Sequence, residues 1–159
     1  MKLLDRVVIP LRVLLVVLFA GLVVAQVLSM PGQFAHLAEE EPDLAHLRWP
    51  LTGGSILLIA CLQVVVVCTW RLLTLVRADR IFSDEAFGWV DAIVGAVGAA
   101  WVLWAAFALL VISRSDDPGT PMLLIGLTLL GGVVALLMVV MRALLHQATV
   151  LRTDLEAVI

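Results

Sequence analysis

The chain has 159 residues, of which 63% are apolar and 14% charged, with a formal charge of −3 and a mean hydropathy of +1.13. Soluble domains carry roughly 45–50% apolar and about 25% charged residues, so this composition excludes a water-facing shell around one buried core. The slightly acidic balance gives no electrostatic footprint for direct nucleic-acid binding.

The apolar residues are gathered into long runs, and about 20 such residues cover the roughly 30 Å of a bilayer's hydrocarbon. The first span is expected over residues 7–28, with Lys2 and Arg6 before it, Pro10 in its first turns and Arg12 just inside. A charged start followed by an apolar run also resembles a secretory signal. Val24-Ala25-Gln26 is a poor cleavage site, however, and the run is long, so an uncleaved span is expected.

Residues 29–50 form an outer segment holding His36, Glu39, Glu40, Glu41, Asp43 and His46. Imidazoles beside carboxylates are the chemistry of a divalent-ion site, which makes His36, His46 and Glu40 the candidate ligands. Their spacing matches no metal motif, so no metal or other cofactor is expected. Phe34, Leu37, Leu44 and Leu47 rather predict a short amphipathic helix on the outer surface.

The second span, 51–76, follows Pro50 and contains Cys61 and Cys68. Seven residues along a helix separate them by about 10 Å, too far for a disulfide. Ser83 is a candidate N-cap for the third span, 86–112, and Asp84 and Glu85 suit the positive end of its dipole. Pro118 and Pro121 mark a break before the fourth span, 121–145, and a tail of residues 146–159.

Orientation follows from the basic residues. Lys2, Arg6, Arg12, Arg71, Arg77, Arg80, Arg142 and Arg152 fall on one side, and only Arg48 and Arg114 on the other. That bias predicts both termini in the cytoplasm. Trp49, Trp70 and Trp89 fall near expected interfaces, where indole rings settle. Nine arginines to one lysine, with no asparagine, fit a GC-rich bacterial genome and hence a bacterial plasma membrane. The expected fold is an all-α, integral membrane four-helix bundle with both ends inside, an amphipathic outer segment and a cytoplasmic extension of the last helix.

Within the bilayer, helices associate at small residues. Gly88, Ala92, Ala96 and Ala100 recur every four residues, a seam for internal packing or for a second copy of the chain. Asp91, near the inner boundary, needs a partner, and Arg71 is the expected one, forming a structural ion pair. Gln26, Gln63, Thr69, Thr74 and Thr128 are expected to hydrogen-bond between helices or back onto their own carbonyls.

Beyond the fourth span an apolar stripe of Leu144, Ala148, Leu151, Leu155 and Val158 continues among Arg152, Asp154 and Glu156. A stripe of this kind packs on its own chain's 77–85 connection, lies on the membrane surface, or finds a partner. The partner-binding candidates are Arg77, Arg80, Ala148, Leu151 and Leu155.

Three stretches resemble the bacterial membrane-protein family known as domain of unknown function 2975. They are Trp70-Arg71-Leu72-Leu73 with Arg77-Ala78-Asp79-Arg80-Ile81-Phe82-Ser83, then Phe87-Gly88-Trp89-Val90-Asp91, and Met141-Arg142-Ala143-Leu144-Leu145-His146-Gln147-Ala148 running into the tail. The resemblance extends over essentially the whole chain and its motifs are structural. It implies a regulatory role beside small helix-turn-helix regulators encoded nearby, and it transfers no functional residues. The expected function is therefore a non-enzymatic regulatory or sensory membrane subunit whose cytoplasmic face engages a soluble partner. The alternative is a small oligomeric transporter or channel, and no paired carboxylates or nucleophile–base set points to an enzyme.

Overall fold

A computed structural model describes residues 2–29, 32–33, 35–36, 48–78, 84–115 and 117–158. The described residues are helical apart from short turns. Helix α1 is Lys2–Val24 and passes into a π-helical turn, Ala25–Ser29. Helix α2 is Arg48–Arg77, α3 is Asp84–Ile112 and α4 is Gly119–Val158. All four are long and apolar enough to cross a membrane. Of the outer histidine set, His36 is helical and exposed, while Glu40 and His46 lie outside the described residues.

The helix boundaries follow local chemistry. Helix α2 begins at Arg48, three residues ahead of the expected span, because Pro50 falls in the first turn, where a missing N–H costs nothing. Helix α4 begins where Asp117 Oδ2 accepts hydrogen bonds from the Thr120 backbone N–H and hydroxyl, both at 3.2 Å. A side-chain oxygen reaching a first-turn N–H is the usual helix-start device. No residue then stops α4, which runs unbroken for 40 residues, roughly 60 Å.

Successive helices are antiparallel, so both described chain ends lie at one end of the molecule, here termed the terminal end. Arg12 of α1 meets Thr74 of α2, Arg71 of α2 meets Trp89 of α3, and Asp91 of α3 meets Arg142 of α4. The buried apolar residues are few and concentrated on the middle pair: Ile59, Val66, Cys68 and Leu75 on α2, with Ala86, Ile93 and Ala108 on α3. Helix α1 buries Val8 and Leu15, and α4 buries Leu124.

A closed bundle is not what these helices form. Among the described residues, α1 packs on α2 alone, and no Cα of α1 lies within 8 Å of one in α3 or α4. Helix α4 likewise packs on α3 alone. The four helices stand in an open row in chain order. Lipid tails are as apolar as leucine, so nothing like the hydrophobic effect in water pulls the two edges of such a row together. The outward faces of α1 and α4 are rich in exposed Val and Leu.

Candidate functional site: a charged belt at the terminal end

Each helix places one ionised side chain at nearly the same height. Arg71 lies about twenty residues along α2 from Leu51, Asp91 a similar distance from Ile112 on α3, and Arg142 a similar distance from Pro121 on α4. At about 1.5 Å per residue, twenty residues span roughly 30 Å, the thickness of the hydrocarbon. Arg71, Asp91 and Arg142 therefore lie at one level, the expected membrane boundary, and Arg12 joins them in a belt through its contacts with Thr74 and Trp70; Trp89 stands among them.

Asp91 does not pair with Arg71. Its carboxylate accepts from Arg142 through Nε to Oδ1 and through Nη2 to Oδ2, the latter at 2.8 Å. This is a two-point guanidinium–carboxylate contact, the geometry at which arginine excels. Helix phase explains the choice of partner. Arg71 sits over the Trp89 ring, 5.7 Å from its centroid, and Trp89 and Asp91 are two residues apart. Two residues turn a helix by about 200°, so the face that meets α2 at Trp89 turns Asp91 toward α4. One turn further along α4, His146 packs edge-on against Phe87, with ring centroids 5.7 Å apart. Above the pair, between the start of α3 and the end of α4, opens a cleft of about 770 Å³ lined by Asp91, His146, Thr149, Thr153 and Asp154.

The second arginine of the belt closes α1 onto α2. Arg12 Nη2 donates to Thr74 Oγ1 at 3.1 Å, and its guanidinium carbon lies 5.1 Å from the Trp70 ring centroid. Deeper in the membrane, Gln63 Nε2 donates to Gln26 Oε1 at 3.0 Å, and Gln26 Nε2 reaches the Ile56 carbonyl at 3.5 Å. Gln26 stands in the π-helical turn. Thr69, Thr74 and Thr128 each donate to the carbonyl four residues back, at 2.7, 3.1 and 2.8 Å. The intramembrane polar groups thus hold helices and their own backbones. Gln63→Leu should lower stability only slightly, by about 0.6 kcal/mol, in a denaturant titration of the detergent-solubilised protein.

The α3–α4 contact in mid-membrane belongs to a residue that sequence reasoning passed over. Trp101 Nε1 donates to the Thr128 carbonyl at 2.9 Å. Its ring lies against Gly131 and Gly132, where an added Cβ would come within 3.1 and 3.3 Å of it. Of the expected small-residue seam, Gly88 is exposed, while Ala92, Ala96 and Ala100 are half-buried.

The partner-binding candidates separate by location. Leu144, Leu151 and Leu155 are 54%, 64% and 66% exposed, and Ala148 is exposed beside them on α4 beyond the belt. Arg77 ends α2 with its side chain exposed, and Arg80 lies outside the described residues. At the far end, an apolar cavity of about 440 Å³ opens between α2 and α3, walled by Leu58, Trp104 and Phe107. No periodicity in the sequence signals it.

The sequence model of a family described as "Protein of unknown function (DUF2975)" matches residues 32–159, which takes in α2, α3 and α4. No curated protein and no solved structure matches the chain.

Proposed function

The chain belongs to the DUF2975 family, and from that premise we propose a non-enzymatic regulatory or sensory subunit of the bacterial plasma membrane whose cytoplasmic face engages a soluble partner. The observation that carries this reading is the length of α4. It continues about sixteen residues past Arg142, roughly 24 Å at helical rise, and so projects beyond the hydrocarbon as an arm. Leu144, Ala148, Leu151, Leu155 and Val158 recur along the arm at alternating steps of four and three and are exposed. Lipid does not account for a leucine stripe standing in water, and the spacing suits the apolar face of a partner's helix. Family resemblance nominates a small helix-turn-helix regulator as that partner. The excess of arginine at the terminal end favours a cytoplasmic placement of the arm.

Gentle cross-linking in native membranes, followed by purification through a tag between α1 and α2, tests this directly. A stoichiometric cytosolic protein should accompany the intact chain and be lost when residues 149–159 are deleted, with membrane insertion retained. Equal recovery with and without the arm would sink the proposal.

A further inference from the structure

The charges of the belt do not balance. Arg142 is neutralised by Asp91, but Arg12 and Arg71 have no carboxylate partner among the described residues. Arg12 holds a threonine hydroxyl and a tryptophan face, and its Nε is buried without a hydrogen-bond partner among the described residues. Among the described residues Arg71 meets the Trp89 face, and it is exposed. A guanidinium at the edge of hydrocarbon is costly unless an anion or water meets it, and its fork of donors matches phosphate oxygens.

Beside Arg71, and one turn along α1 from Arg12, runs an apolar groove of about 250 Å³ between α1 and α2. Its walls are Leu15, Val16 and Phe19 of α1 with Val66 and Val67 of α2, and Trp70 and Arg71 close its terminal end. The groove exists because α1 leans on one neighbour only and buries little beyond Val8 and Leu15. A free phosphate would use the arginines and leave the groove empty. A zwitterionic lipid would fill the groove and leave the excess charge.

From this juxtaposition we infer that the α1–α2 face is a binding site for one anionic phospholipid. Its phosphate lies on Arg71 and Arg12, and an acyl chain lies along Val16, Phe19 and Val67. The site fastens the weakly packed α1 to the rest of the row. It stands independently of any role for the α4 arm.

Native mass spectrometry of the full chain in detergent, titrated with phosphatidylglycerol or phosphatidylcholine of identical chains, tests the inference. One phosphatidylglycerol should be retained in preference to phosphatidylcholine. Arg71→Gln should weaken it about fivefold, the effect expected from one basic residue at a membrane surface, and Arg12→Gln should act in the same direction. Val67→Trp fills the groove while leaving both cations in place, and it too should weaken retention. It serves as the independent variant if Arg12→Gln loosens α1. Arg114→Gln, at the far end, should change nothing. Equal retention of the two lipids, or an undiminished site in Arg71→Gln or Val67→Trp, overturns the inference. So does displacement of the lipid by inorganic phosphate that persists in Val67→Trp, which marks a free-anion site instead.

Discussion

Gly132→Leu should detach α4 from α3 in mid-membrane, lowering stability by about 1–3 kcal/mol, the range for overpacking a well-fitted contact. The glycine pair forms a notch on α4 into which the Trp101 indole is laid. At Gly132, a Cβ alone would stand 3.3 Å from Nε1 and 3.5 Å from two further ring atoms. Alanine asks the ring to give by a few tenths of an ångström, whereas leucine has no room for its branch. Moving the ring also breaks the hydrogen bond from Trp101 to the Thr128 carbonyl, whose oxygen has a second lone pair for that donor beside its helical bond. Gly126 is the control, since nothing lies within 4 Å of its added Cβ. Gly126→Ala should be neutral or gain up to about 1 kcal/mol from helix propensity. Denaturant titration in micelles, followed by circular dichroism, separates the cases. Equal losses at Gly126 and Gly132 would show that helix flexibility, not the Trp101 notch, governs both sites.

The notch also marks where sequence reading stops. Four helices long and apolar enough to cross a membrane, and their order, were legible because hydrocarbon imposes a length and excludes charge, and both constraints act residue by residue. Partner choice between helices is a different kind of fact. Asp91 has two arginines at its own depth, Arg71 and Arg142, and depth alone leaves them tied. Only the rotation of α3 about its axis, fixed by Arg71 over Trp89, turns the carboxylate to Arg142. Small residues show the same limit. Gly88, Ala92, Ala96 and Ala100 form the more regular pattern, yet the tight glycine contact is made by Gly131 and Gly132, because a large ring on α3 stands opposite them. The open row was illegible for a related reason. Apolar runs state that a helix meets lipid or protein and do not distinguish the two. The belt, by contrast, was written in the sequence as one ionised residue per span, about twenty residues from the opposite end in the last three spans. It becomes visible once the spans are counted from that end.

Charge exchange across the belt should have the largest effect on the α4 arm. Asp91→Arg sets a second guanidinium against Arg142, and Arg142→Asp sets two carboxylates together. At a membrane boundary, water and counterions screen such a repulsion less fully than on an open surface. Either single change should drive the two helices apart at the base of the arm. The Phe87–His146 contact one turn beyond should loosen with it, because both contacts tie the same two helix ends. Trypsin cleavage at Arg152, which is helical and outside the spans expected from sequence, should then accelerate severalfold, since local opening governs proteolysis of ordered segments. The double exchange, Asp91→Arg with Arg142→Asp, restores opposite charges at the same places and should return most of the protection. Milder substitutions, Asp91→Asn and Arg142→Gln, should fall between. A pair that only decorates the surface predicts no change in any single variant. A pair that anchors the arm predicts loss in each and recovery in the exchange. If the arm presents its leucine stripe to a partner, recovery of that partner should follow the same order as protection from trypsin, because a stripe on a loosened helix is presented in many directions rather than one.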